Sequence, residues 1–210
     1  MNDFLFDGPD DAKALFIFAH GAGVGMDSEF MTTIAQGLGA NGIRVARFEF
    51  AYMAQRRTGG SKRPPPRADK LEAEFKDAID ELAHKGALFI GGKSMGGRVA
   101  SLISDDLTPT GNLAGLICLG YPFHPPGKPE SLRTAHLEGL QTQALICQGT
   151  RDPFGTLEDV KSYQLSDKIV LEWLEDGEHG FKPRKSAGVT LEENMEQSVQ
   201  AMTRFINAQL

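Results

Sequence analysis

Apolar strand-like runs alternate with helical patterns along the sequence, and this alternation limits the possible folds more than any other feature. The runs are short and rich in Leu, Ile, Val and Phe, as in a sheet buried on both faces. We predict strands at 15–18, 43–50, 87–90, 113–119, 144–147 and 169–174, an edge strand at 4–6, and helices at 28–40, 71–82, 98–104 and 191–210. This order predicts an α/β fold, a three-layer α/β/α sandwich with a mostly parallel sheet, in a single domain over residues 1–210.

Residues 92–96, Gly-Lys-Ser-Met-Gly, follow the third central strand and allow two chemical interpretations. The Gly-Lys-Ser part ends like a phosphate-binding loop, but that motif requires a glycine where the chain has Ala87. The same residues form G-x-S-x-G, the strand-to-helix turn that presents a nucleophilic serine. The glycines at its two ends let a strand and a helix pass closely. We therefore favour Ser94 as a nucleophile.

The glycine-rich segment 20–23, His-Gly-Ala-Gly, follows the first central strand. It resembles loops that offer a backbone N–H to a developing negative charge. The alternative is a dinucleotide fingerprint with Glu49 on the ribose, but Met26 stands where the third glycine is required. The favoured interpretation is an oxyanion hole with the N–H groups of Ala22 and Met95 as donors.

A base and an acid follow Ser94 in the chain. His179 lies after the last strand, and Asp152, in an Asp-Pro pair that is also common in turns, lies after the 144–147 strand. A carboxylate that holds a histidine in one tautomer completes a catalytic triad. The order Ser94, Asp152, His179 is the one found with nucleophile elbows, and it differs from the chymotrypsin and subtilisin orders.

Other titratable residues near these positions leave alternatives open. Asp176 and Glu178 lie close to His179 in the sequence and compete with Asp152 for the role of the acid. We expect His20 to make structural hydrogen bonds. His84 is expected to be solvated. His124 and His136 follow the 113–119 strand and could line the site, but a solvated loop position is favoured for both.

Composition and charge exclude several classes of function. The net charge of −6 disfavours nucleic-acid binding. No apolar run is long enough to span a membrane, and no basic and apolar leader opens the chain, so we expect a cytoplasmic protein. Cys118 and Cys147 lie in apolar strands, where two reduced thiols are favoured over a disulfide. Catalysis by the triad Ser94, Asp152 and His179 requires no cofactor and no metal.

One unusual segment, 52–70, carries five basic residues before its first acid in an otherwise acidic chain. A solvated, proline-stiffened loop is one interpretation. The other is a loop that borders the pocket, because it follows the end of a strand. In that case Arg56 and Arg57 are candidates to bind an anionic group of the substrate.

These motifs together resemble the α/β-hydrolase superfamily over nearly the whole chain. More narrowly, segments 20–31, 47–53 and 91–101 look like a small hydrolase-like family that includes a testis-expressed protein and a chromatin-complex subunit. Dienelactone-hydrolase-type enzymes are more distant relatives. The resemblance implies Ser94 as nucleophile, Asp152 as acid, His179 as base, and an oxyanion hole at Ala22 and Met95.

The predicted function is that of a serine hydrolase, a carboxylesterase for small soluble esters. The short connection between the strands at 113–119 and 144–147 leaves room for a minimal lid at most. Two alternatives stay open: an amide or thioester hydrolase on the same fold, and a catalytically weak interaction module that binds a protein partner.

Overall fold

The computed structural model describes residues 3–108 and 113–210. Its strands are Leu5–Asp7 (β1), Ala14–Ala19 (β2), Arg44–Phe48 (β3), Ala87–Lys93 (β4), Leu113–Leu119 (β5), Ala144–Gly149 (β6) and Ile169–Leu174 (β7). Its helices are Glu29–Ala40 (α1), Ala51–Arg57 (α2), Ala68–Leu82 (α3), Met95–Leu107 (α4), Leu157–Val160 (α5) and Leu191–Asn207 (α6). The predicted alternation of strands and helices is confirmed.

The strands of the described residues form one sheet in the order β1-β3-β2-β4-β5-β6-β7. β1 pairs antiparallel with β3, and all other neighbours pair in parallel. The carboxyl ends of β2, β4, β6 and β7 therefore lie along the same edge of the sheet. The loops that carry the predicted site residues all begin at this edge, where ligands bind in open α/β sheets.

Helices cover both faces of the sheet, and each face has its own core. Side chains alternate along β2, so that Ile17 joins a cluster with Phe75 of α3 and Ile103 of α4. Phe16 points the other way and joins a cluster with Ile34 of α1 and Val199 of α6. Each such fully buried side chain contributes about 1.5–3 kcal/mol to the stability of the fold. The predicted three-layer sandwich is confirmed.

Two connections cover the edge of the sheet at the carboxyl ends of the parallel strands. Residues 51–57, most of which were expected to belong to the loop 52–70, form the short helix α2, which buries Tyr52 and Met53 against the core. The connection between β5 and β6, residues 120–143, contains no helix, so the chain has no helical lid at this place. The segment is instead held down by Leu137 and Leu140, which are buried in the core.

The two cysteines are free thiols. They lie on neighbouring strands but on opposite faces of the sheet, Cys118 in the cluster with α3 and α4 and Cys147 in the cluster with α1 and α6. This placement separates their side chains by the sheet itself. Among residues 3–108 and 113–210, no helix is both long and apolar enough to cross a bilayer.

Candidate active site

Ser94 lies at the sharp turn between β4 and α4. Its backbone has φ 50° and ψ −111°, a left-handed conformation that a residue with a side chain rarely adopts. A Cβ atom at Gly92 would lie 2.6 Å from Ala19 O, and one at Gly96 would lie 2.6 Å from the same oxygen. Only glycine therefore permits the close approach of β2, β4 and α4 that creates the turn. The geometry is that of a nucleophile elbow.

Asp152 and His179 meet at the carboxyl ends of β6 and β7. Asp152 Oδ2 lies 2.8 Å from His179 Nδ1. The carboxylate is completely buried, and it also accepts hydrogen bonds from Gln148 Nε2 and from the backbone N–H of Phe154. Because the carboxylate accepts, Nδ1 carries the proton, and Nε2 is left free to accept one.

The competing carboxylates have other partners. Asp176 is paired with Arg151 and Arg184, and Arg184 holds the pKa of this carboxyl well below its usual range. Glu178 Oε1 accepts the backbone N–H of Gly180 at 2.8 Å. The structure thus brings Asp152 to His179 and uses the other two acids to shape the loop that carries the histidine.

Two residues that the sequence interpretation missed hold His179 in position. The ring of Phe154 packs against the imidazole, with 4.3 Å between ring centroids. Lys93 Nζ donates to the backbone carbonyl of His179 at 2.6 Å. Burial lowers the pKa of Lys93 to about 8, against the opposing effect of the charges on Asp152 and Glu178. The position of Lys93 between a motif glycine and Ser94 is a signal that it lies near the site. Its burial and its contact with His179 cannot be predicted from the sequence pattern.

Ala22 and Met95 lie beside Ser94 and line the same pocket. In residues 3–108 and 113–210, neither backbone N–H has a hydrogen-bond acceptor, and Met95 opens α4, where such donors lack intrahelical partners. Tyr52 Oη donates to Ala22 O at 3.1 Å and so fixes the loop. The structure brings both predicted donors to the pocket that contains Ser94.

His20 fixes the position of the same loop through hydrogen bonds of its imidazole ring. Its Nε2 accepts the backbone N–H of Phe50 at 3.2 Å, so the proton is on Nδ1, which donates to Gly21 O at 2.6 Å. Burial lowers the pKa of His20, which favours this neutral form. The predicted structural role of His20 is confirmed.

The predictions for the remaining histidines need correction. His124 is buried and not solvated, because the connection 120–143 folds back onto the sheet. His136 is half-buried, and its Nε2 lies 2.9 Å from Ser101 Oγ. His84 is also half-buried, and its Nε2 is covered. None of the three lines the pocket at Ser94.

The pocket at Ser94 has a volume of about 270 Å³. Its wall includes Pro65, Pro66, Pro122 and Phe154. The unusual segment 52–70 therefore borders the pocket, as one interpretation predicted. It contributes Pro65 and Pro66 to the wall and not the predicted arginines. In the described part of the chain, the Ser94 hydroxyl and His179 make no hydrogen bond with each other, a contact that in many hydrolases tightens only when substrate is bound.

Arg56 and Arg57 do not line this pocket. Arg57 donates two hydrogen bonds to Glu49 and also contacts Asp27. Arg56 donates to the carbonyl of Arg63. Glu49 further accepts the N–H of Met26, so its carboxylate is used within the protein and not kept for a ribose. The arginines at the pocket are two others, Arg98 and Arg133.

Comparisons with known proteins agree with this architecture. The family model described as alpha/beta hydrolase domain matches residues 12–207, and the chain belongs to this family.

Several solved structures share the fold at low sequence identity. A serine hydrolase without lid from Xanthomonas campestris is 20% identical, with a TM-score of 0.70 over 97% of this chain and 88% of that one. Est1E from Butyrivibrio proteoclasticus, solved with ferulic acid, is 16% identical, with a TM-score of 0.71 over 98% and 96%. A dienelactone hydrolase from Anabaena variabilis is 18% identical, with a TM-score of 0.71 over 98% and 90%.

Proposed function

We propose that the protein is a serine hydrolase that cleaves small carboxylic esters through Ser94, His179 and Asp152. The observation that carries the proposal is the backbone of Ser94, held at φ 50° beside two N–H groups without acceptors in the described chain. Strain of this kind costs stability and persists where function requires it. The family membership, and the serine hydrolase and the esterase domain among the structural neighbours, support the same class of reaction.

The first half of the reaction forms an acyl-enzyme. Ser94 Oγ attacks the ester carbonyl while its proton passes to His179 Nε2. The new oxyanion accepts hydrogen bonds from Ala22 N–H and Met95 N–H. The C–O bond to the alcohol then breaks, and the leaving oxygen takes the proton from His179. Asp152 stabilises the charged imidazole through the Nδ1–H bond.

The second half releases the acid. Water enters the open pocket, gives a proton to His179 Nε2 and attacks the acyl carbon. The second tetrahedral intermediate collapses, Ser94 Oγ recovers the proton, and the carboxylic acid leaves. The volume of about 270 Å³ and the lack of a helical lid over residues 120–143 favour small substrates over long acyl chains.

Ester hydrolysis by Ser94→Ala and by a matched control tests the proposal. Ser131 is an exposed serine in the connection 120–143, so Ser131→Ala should retain wild-type turnover of 4-nitrophenyl butyrate. Ser94→Ala should lose a factor on the order of 10³ or more in kcat, because triad residues act as a unit. Retention of most activity in folded Ser94→Ala would exclude the mechanism. Parallel assays with thioester and anilide analogues of the same acid identify the bond that is preferred.

A further inference from the structure

Two positively charged side chains lie at the pocket that contains the nucleophile. Arg98 is in the first turn of α4, and its backbone N–H donates to Ser94 O at 3.0 Å. Arg133 comes from the connection 120–143 and is fixed by its own N–H, which donates to Phe123 O at 2.7 Å. The two residues are far apart in the sequence, and the fold brings them to one pocket.

Among residues 3–108 and 113–210, the side chains of Arg98 and Arg133 form no ion pair and no hydrogen bond, and Arg98 Nε is buried without a partner. Three other arginines, Arg47, Arg57 and Arg184, contact carboxylates. Arg56 also leaves its Nε buried without a partner, but it lies outside the pocket. A buried guanidinium N–H without an acceptor is costly, so its retention beside the nucleophile points to a ligand.

The titratable groups near the two arginines include His136, on which the charges of Arg98 and Asp105 both act. Burial and the charge on Arg98 together lower the pKa of Arg133. His136 also faces this charge, and burial and Arg98 lower its pKa. Asp105, the acid that acts on His136, uses its carboxylate for the backbone N–H groups of residues 141 and 142.

We propose that Arg98 and Arg133 bind a carboxylate of the substrate, so that the preferred substrates are small esters that carry a second, anionic carboxyl group. A guanidinium binds a carboxylate through two parallel hydrogen bonds, which gives orientation as well as affinity. Because the pocket is small and holds Ser94 as well, the carboxylate lies only a few bonds from the ester. The inference rests on the proposed function for its catalytic part.

Two matched pairs of esters test the preference. On the acyl side, 4-nitrophenyl hydrogen adipate is compared with its carboxamide analogue of equal length. On the alcohol side, 4-carboxyphenyl butyrate is compared with 4-carbamoylphenyl butyrate. We expect the anionic ester to have the higher kcat/KM in at least one pair. In Arg98→Gln/Arg133→Gln that preference should fall about tenfold to a hundredfold, as for the loss of charge-assisted hydrogen bonds.

A control variant with the same net charge as Arg98→Gln/Arg133→Gln distinguishes a specific site from a general effect of charge. Arg63→Gln/Arg67→Gln deletes the same number of charges from exposed positions and should keep the wild-type preference. Arg98→Lys keeps the charge without the planar fork and should restore only part of the preference. Equal kcat/KM within both pairs for the wild type, or an equal loss of preference in the control variant, would overturn the proposal.

A binding measurement separates this site from the catalytic proposal. Adipate should raise the melting temperature of the wild type more than adipamide does, and it should not do so in either Arg98→Gln or Arg133→Gln. If the wild type cleaves no ester while adipate still stabilises it through the arginines, the proposed function fails and the anion site stands. If the wild type cleaves neutral esters but adipate gives no shift, the anion site fails alone.

Discussion

Lys93 offers a quantitative test of the geometry around His179, because burial gives it a pKa of about 8 against an ordinary value of 10.5. Between these values the folded chain has released a proton that the unfolded chain still holds. Stability rises with pH wherever the unfolded state binds more protons than the folded state. The contribution of Lys93 to the free energy of unfolding therefore becomes more favourable as the pH rises from about 8 to 10.5. Replacing Lys93 with Met removes this dependence.

The magnitude follows from the two pKa values. At about 1.4 kcal/mol for each pH unit, the protonated lysine costs the folded state about 3 kcal/mol below pH 8. From pH 7.5 to 10, the free energy of unfolding of the wild type should therefore rise by about 2 kcal/mol relative to Lys93→Met. Urea titrations at several pH values measure the free energy of unfolding of both proteins. The other titratable groups are common to both, so their effects cancel in the difference between wild type and Lys93→Met. A difference that stays constant from pH 7.5 to 10 would refute the reasoning.

Three further substitutions test other parts of the site. Gly96→Ala places a Cβ atom 2.6 Å from Ala19 O, a backbone atom that cannot yield, and should cost about 1–3 kcal/mol in urea unfolding and slow ester turnover; wild-type stability would contradict the close approach. Asp152→Asn should keep the fold by circular dichroism but lower kcat by a factor on the order of 10⁴, since the amide cannot stabilise the imidazolium; a loss below tenfold would point to another acid. Arg57→Gln leaves the buried Glu49 without its guanidinium partner and should lower stability by about 2 kcal/mol with little change in KM; a raised KM at wild-type stability would return Arg57 to the substrate.

Much of the architecture follows from local patterns. β2 and β5 are runs without a charged or polar side chain, and their predicted bounds agree with the structure within a residue or two. The chain order of Ser94, Asp152 and His179 also carries spatial information, because each follows a parallel strand and the carboxyl ends of such strands share one edge.

Other features depend on contacts that sequence patterns do not contain. The helix α2 has only seven residues and no side-chain cap, so tertiary burial of Tyr52 and Met53 decides its formation. The burial of Lys93 arises from the loop that carries His179, 86 residues further along the chain. Arg98 and Arg133 line one pocket only because the connection 120–143 folds back over the sheet. Arg56 and Arg57, although adjacent in the sequence, have other partners: Arg56 donates to the carbonyl of Arg63, and Arg57 forms an ion pair with Glu49.

The central claim is that Ser94 is a reactive nucleophile, and active-site labelling tests it most directly. The folded protein is treated with a fluorophosphonate, its intact mass is measured, and the modified peptide is sequenced by mass spectrometry. The account predicts one adduct for each chain, on Ser94, formed at a rate that drops sharply in His179→Ala and absent from Ser94→Ala. A folded wild-type protein that stays unmodified, or that carries the adduct on another residue, would contradict it.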